Sequence, residues 1–187
     1  MPTRGSQVMT EAQFILAAAS ILLSIALSRL LDTTYYNIVL GGDWILSLWL
    51  VNRLLAVLLI FWAYRMLLNN NFDIGFKEFL MVLTPPFFLI LQTLALTSDN
   101  ISSDSRFGDN FAKRKKYFAI FAVIGAVSNA VVGDHFGVPV PTSVFSINCV
   151  IFAAVHFASS RPVHIGLAVS NTAIITLALG RPLILNL

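Results

Sequence analysis

Arg53 is the residue whose type and position could do chemistry inside an otherwise apolar stretch. It lies nine residues after Trp44 in the run 44–64, which carries no other charged residue. Nine helical residues span about 13 Å, so the guanidinium would lie deep in a bilayer, where an arginine costs about 2.5–3.5 kcal/mol and needs a partner. Its planar fork predicts a site for an anion, a carboxylate or a lipid phosphate. A structural role, bonded to helix carbonyls or to Asp43, or snorkelling to the interface, is the alternative.

Three asparagines lie well inside later apolar stretches, at Asn129, Asn148 and Asn171. An amide in apolar surroundings seeks a partner across a helix interface, so interhelical hydrogen bonding is one interpretation. The other is a polar lining for a substrate cavity. Together with Arg53, these asparagines form the predicted binding site.

The basic run Lys113, Arg114, Lys115 and Lys116 closes the one long polar stretch of the chain, residues 98–116. Basic residues collect on the cytoplasmic side of membrane proteins, so we expect a cytoplasmic loop here. The run is interpreted as a topology anchor, with a lipid-headgroup or acidic-partner site as the alternative.

Signals for catalysis and for bound metals are weak. Asp134-His135 could act as a base on Thr142 or Ser143, but nothing in the sequence brings these groups within the reach that catalysis needs. The three histidines and the single Cys149 do not form a metal-binding or haem-binding pattern. The chain also lacks nucleotide-binding and hydrolase motifs. We therefore expect no enzyme activity, no metal and no cofactor.

The elements that must position these residues are long and apolar. The chain of 187 residues is 57% hydrophobic and only 11% charged, against about 25% charged in soluble domains. Six apolar blocks each approach the roughly 20 residues that cross a bilayer as a helix. They lie at about 14–31, 44–68, 79–97, 117–132, 143–159 and 165–185. The sequence predicts an all-α, polytopic membrane protein with one domain, 1–187, and a polar segment at 1–12.

Two topologies are open. Six full crossings group Arg29, the basic run and Arg161 on the cytoplasmic side, and Arg65 and Lys77 on the other. Proline interrupts helices, so Pro85-Pro86 raises the alternative of five spans with a re-entrant segment at 79–97. That alternative improves the charge bias, but it requires irregular backbone surrounded by protein or water. Six crossings, with a kink at the prolines, are preferred.

These features favour a transport or channel-type component. No carboxylate lies in the middle of an apolar block, as proton- and cation-coupled carriers commonly require, so a small anionic or neutral solute is expected. The alternative is a non-catalytic membrane subunit that packs against protein, lipid or pigment partners. Membrane lipids are the expected contacts, with a second copy or other membrane subunits as candidate partners and no nucleic acid. The expected location is the inner membrane of a bacterium.

Overall fold

Apolar runs in this chain fold as long helices. A computed structural model describes residues 11–39, 44–69, 75–97, 107–137 and 142–185, and within them the regular structure is entirely helical. The helices are α1 Glu11–Val39, α2 Trp44–Asn69, α3 Phe76–Leu96, α4 Phe107–His135, α5 Thr142–Phe157 and α6 Arg161–Leu185. The predicted all-α fold class is confirmed.

Five of these helices are long and apolar enough to cross a bilayer, and the protein is therefore membrane-embedded. Their apolar segments are Gln13–Val39, Trp44–Arg65, Phe76–Leu96, Arg114–His135 and Arg161–Leu179. The shorter helix is α5, whose 16 residues span about 24 Å against a hydrocarbon core of about 30 Å.

Helix α3 runs without interruption through Pro85 and Pro86. A re-entrant segment would reverse direction here, so the alternative at 79–97 is not what the structure contains. A proline at position 86 cannot donate its backbone hydrogen bond to the carbonyl four residues earlier, that of Val82. The buried Tyr64 of α2 donates its hydroxyl hydrogen bond to that same carbonyl. A neighbouring helix thus replaces the donor that Pro86 removes, which helps α3 to continue through the prolines.

Two helices extend beyond the apolar blocks that predicted them. Helix α1 continues from Leu31 to Val39, so Arg29 and Asp32 lie within the helix as exposed residues and not at its end. Helix α4 begins at Phe107, so the second half of the predicted loop 98–116 is helical and the basic run belongs to α4. Polar residues interrupt the apolar runs of the sequence at these positions, but the helices α1 and α4 continue through them.

Contacts between helix ends show that α4 is antiparallel to both α3 and α5. Arg114 at the start of α4 donates to the backbone oxygen of Thr97 at the end of α3, over 2.9 Å. Glu78 at the start of α3 lies 3.8 Å from His135 at the end of α4. Lys115 donates in turn to the carbonyl of Ala158, just after α5. Cations at these carbonyl-rich helix ends also complement the helix dipole.

The alternating directions sort the charged residues into two ends of the bundle. One end, here called the basic end, holds Arg114, Lys115, Lys116 and Arg161, and the other holds Arg65, Lys77, Glu78 and His135. This grouping agrees with the layout predicted for six crossings at the basic run, Arg161, Arg65 and Lys77. Arg29, predicted at the cytoplasmic side, instead lies ten residues before the end of α1. The cytoplasmic location of the basic end stays a prediction.

The helices pack in the order α1, α2, α6, α5, α4, α3 and back to α1, and α2 also touches α3 and α4. Helix α2 therefore supplies side chains to the middle of the bundle. Trp49, Phe118 and Phe152 meet there, with ring centroids 5.4–6.1 Å apart. This aromatic cluster comes from α2, α4 and α5, and the guanidinium of Arg53 packs against the rings of Phe118 and Phe152.

Candidate functional site

Arg53 faces the interior of the bundle, one helical turn after Trp49. Its side chain is 4% exposed. The guanidinium carbon lies 4.7 Å from the centroid of the Phe152 ring and 5.8 Å from that of Phe118. Cation–π attraction strengthens when the pair is removed from water, so the aromatic cluster stabilises the charge. The sequence-based expectation that Arg53 points inward and has partners is confirmed.

The hydrogen-bond partners of Arg53 are amides. Its Nε donates to Asn52 Oδ1 over 3.0 Å, Nη2 donates to the same oxygen, and Nη1 donates to Gln92 Oε1 over 2.6 Å. The expected alternative partners were helix carbonyls or Asp43, and Asp43 lies outside the described residues. Within the described segments no carboxylate is among the partners of Arg53. The described partners therefore orient the guanidinium without neutralising its charge.

Asn52 fixes this arrangement by joining α2 to α6. Its Oδ1 also accepts from Asn171 Nδ2 over 2.9 Å, and its Nδ2 donates to Thr172 Oγ1 over 3.2 Å. Thr172 Oγ1 donates onward to the carbonyl of Ala168. Asn171, predicted as a binding residue, thus lies behind the guanidinium and reaches it through Asn52. It performs the interhelical bonding that was the other interpretation of the asparagines.

Gln92 holds the other side of the guanidinium and joins α3 to α4. Its Nε2 donates to the carbonyl of Phe121 over 3.3 Å. A Cβ added at Gly125 would come within 2.6 Å of that nitrogen, so a larger residue would displace the amide from this position. Gln92 was not identified from the sequence. A lone glutamine in an apolar block is a detectable signal, but pairing it with Arg53 requires the packing of α3 on α2.

A small cavity opens beside the guanidinium. Its volume is about 50 Å³, and its walls come from α2, α3, α4, α5 and α6. Its polar lining residues are Arg53, Gln92, Asn129 and Asn148. The structure therefore brings three of the four predicted binding residues together, adds Gln92, and leaves Asn171 outside. We call this space the central cavity.

The two asparagines of the central cavity differ in how they are held. Asn129 Nδ2 donates to the carbonyl of Gly125 in its own helix over 2.8 Å. Asn148 is 7% exposed, and its Oδ1 has no hydrogen-bond partner among the described residues. A buried amide oxygen without a donor is costly, and a guest that donates a hydrogen bond, such as water, would remove that cost.

The lining of the central cavity favours an anion. One guanidinium and three amides face it, and no Asp or Glu is among the described lining residues. A charge of one sign in low-dielectric surroundings attracts the opposite charge more strongly than it would in water. Guanidinium also recognises planar oxyanions with paired hydrogen bonds.

The histidines do not gather into a site. His135 lies beside Glu78 and packs edge-on against Phe136, whereas His164 contacts Phe111 at the basic end. Among the described residues no group of three or more His, Cys, Asp or Glu could hold a metal ion. Glu78, which the sequence did not suggest as a partner of His135, lies 3.8 Å from that histidine.

The basic run divides into different roles. Arg114 and Lys115 bond to carbonyls at the ends of α3 and α5, whereas Lys116 is exposed. The side chain of Lys113 lies outside the described residues. Two of the four predicted anchor residues thus join helix ends to one another, and Lys116 faces outward.

The chain was compared with protein-family models, with curated proteins and with solved structures, and none of the three comparisons found a match. The function must therefore be argued from the site.

Proposed function

We propose that the protein is a membrane transport or channel-type component that binds a small anion in the central cavity. The observation that supports the proposal is the un-neutralised guanidinium of Arg53. Its partners in the described structure are amides and aromatic rings, and it lines a cavity inside a membrane-embedded bundle. A buried charge without a counter-ion is costly, so an anion beside it would be stabilised.

The size of the central cavity limits the solute. A volume of about 50 Å³ corresponds to about three to five water-sized probes. Chloride, nitrate and formate are of this size class. A guanidinium has five N–H donors, and the hydrogen bonds to Asn52 and Gln92 use three of them. The remaining donors and the cavity-lining amides suit a small oxyanion or a halide.

The proposal does not include catalysis. Guanidinium and amide groups are not among the side chains that usually act as general acids or bases. The polar lining of the central cavity, as far as the structure describes it, consists of these two group types. Such a site binds and orients a solute without transforming it.

Anion flux through purified protein in liposomes tests the proposal. Chloride, nitrate and formate serve as anionic probes, and urea serves as the neutral probe. We expect anion flux with the wild type and at least a tenfold lower flux with Arg53→Gln, because the variant lacks the positive charge. The matched control is Arg65→Gln, the same change at an exposed position of the same helix, which keeps wild-type flux.

Arg53→Lys separates charge from geometry, because lysine keeps the charge but loses the planar fork. We expect its anion flux to lie between those of the wild type and Arg53→Gln. Size-exclusion profiles and melting temperatures must show that each variant is folded. An absence of anion flux in the wild type, or equal flux in Arg53→Gln, contradicts the proposal. Urea flux without anion flux would instead support a neutral solute.

The inner membrane of a bacterium is the proposed location. The chain provides membrane-crossing helices and collects Arg114, Lys115, Lys116 and Arg161 at one end, as the positive-inside rule describes for such membranes. Fractionation of bacterial membranes after expression tests the location, and recovery in another fraction contradicts it.

A further inference from the structure

An open apolar groove runs along the outside of the bundle between α4 and α5. Its volume is about 430 Å³, within the range of sites that bind small molecules. Apolar side chains of Ile120, Val123 and Ile124 form one wall, and those of Ala153 and Phe157 form the other. The groove is separate from the central cavity, which Ala122, Gly125, Ala126 and Asn129 reach from another face of α4.

The groove is apolar along its length and cationic at one end. Lys116, Ile120 and Ile124 follow each other at four-residue spacing, so they lie along one face of α4. Lys116 belongs to the basic end, and Ile124 lies about 12 Å further along the helix axis. A cation therefore lies at the surface with apolar side chains below it. This order is complementary to a phospholipid, which has an anionic phosphate above an apolar acyl chain.

Among the described side chains of the basic run, that of Lys116 remains available to a ligand. Arg114 and Lys115 donate to carbonyls at the ends of α3 and α5. Within the described residues Lys116 has no hydrogen-bond or ion-pair partner. His156 also lines the groove, and its Nδ1 is buried without a hydrogen-bond partner in the described structure. The exposed ammonium group of Lys116 is suited to an anionic headgroup.

We propose that this groove is a binding site for one acyl chain of an anionic phospholipid, whose headgroup phosphate contacts Lys116. The charge complementarity favours a lipid with net negative charge over a zwitterionic one, because clustered basic residues at the membrane surface attract anionic lipids. The site is independent of the anion-binding function proposed for the central cavity.

Native mass spectrometry of the detergent-purified, delipidated protein tests the site. The protein is titrated with phosphatidylglycerol or with phosphatidylcholine, and the fraction of lipid-bound protein is measured. We expect the wild type to prefer phosphatidylglycerol. Lys116→Gln should lower its affinity for that lipid about fivefold, the effect of one basic residue at an anionic lipid surface. Lys77→Gln, the same change at the other end of the bundle, is the control and keeps wild-type affinity.

A second variant tests the groove itself. Ala153→Phe adds apolar bulk to the groove at an exposed position, so we expect it to weaken phosphatidylglycerol binding while the charge at Lys116 is unchanged. Val150→Phe, at an exposed position of the same helix that does not line the groove, is its control. Equal binding of the two lipids, or wild-type binding by either Lys116→Gln or Ala153→Phe, overturns the proposal.

Discussion

Arg53 owes its chemical character to the kind of partner that holds it. A carboxylate would neutralise the guanidinium and leave a closed ion pair. The amide oxygens of Asn52 and Gln92 instead accept its hydrogen bonds without cancelling the charge. The residue is thus rigid, buried and still positive, a combination that suits the binding of an exchangeable anion.

The substitution Gln92→Glu would supply the missing counter-charge inside the protein. Glutamate has nearly the shape of glutamine and would lie where Gln92 Oε1 now accepts from Arg53 Nη1 over 2.6 Å. An opposite charge at this distance satisfies the guanidinium and competes with a bound anion. We expect anion flux in liposomes to fall at least tenfold. Because glutamate also lacks the donor that Gln92 Nε2 offers to the Phe121 carbonyl, the size-exclusion profile must show that the variant is folded.

The control for this prediction is Gln13→Glu, the same change at an exposed position of α1. It should leave anion flux unchanged. Undiminished flux in Gln92→Glu, with the protein folded, would mean that the charge of Arg53 plays no part in permeation.

At the residue scale, part of the site could be predicted from sequence. The cost of burying an arginine in lipid identified Arg53, and the same argument for amides identified Asn129 and Asn148. Gln92 and Asn52 were missed because their roles depend on which helices pack against α2. Sequence spacing describes neighbours on one helix, whereas a hydrogen bond between α2 and α3 depends on the tertiary arrangement.

Helix α3 shows how one element depends on its neighbour. Pro86 removes the donor for the carbonyl of Val82, and Tyr64 from α2 provides another. A carbonyl buried in the membrane without any donor is costly. The helix continues through Pro85-Pro86, and the hydrogen bond from Tyr64 contributes to this. That contribution can be tested by substitution.

Removal of the Tyr64 hydroxyl should weaken the contact between α2 and α3. We expect Tyr64→Phe to lower the free energy of unfolding by about 1–3 kcal/mol, the cost of leaving a buried acceptor unsatisfied. Chemical or thermal unfolding in detergent measures the change. Tyr117→Phe, at an exposed position, is the matched control and should stay within about 0.5 kcal/mol of the wild type. Equal stability of the two variants would show that the Val82 carbonyl is satisfied in another way.

The apolar blocks predicted the existence and order of all six helices, but not all of their limits. Helix α2 begins at the predicted residue, because Trp44 opens the apolar run directly. Helices α1 and α4 extend through Asp32 and through the basic run, because polar residues outside the hydrocarbon region are compatible with helical backbone. The length of an apolar block predicts the part of a helix that crosses the bilayer. It does not predict the full length of the helix.

On the scale of the whole molecule, the two ends of the bundle differ in charge. The basic end carries Arg114, Lys115, Lys116 and Arg161, whereas Glu78 and Asp134 accompany the cations at the other end. Among the described side chains the basic end therefore holds an excess of cations, and the adjoining stretch 98–116 also carries Asp99, Asp104 and Asp109 in the sequence.

The charge asymmetry also predicts the orientation of the protein. By the positive-inside rule the basic end faces the cytoplasm, and the alternating helices then place Lys77 outside. The single cysteine, Cys149, makes the test simple. In a Cys149→Ser background, Ser160→Cys marks the basic end and Lys77→Cys the other, both at exposed positions.

A membrane-impermeant thiol reagent applied to intact cells should label Lys77→Cys and leave Ser160→Cys unlabelled until the membrane is opened. The Cys149→Ser protein without a new cysteine sets the background. Labelling of both positions from outside would contradict six alternating crossings, because the residues lie at opposite ends of the bundle. The reverse pattern would keep the helix arrangement but invert the protein.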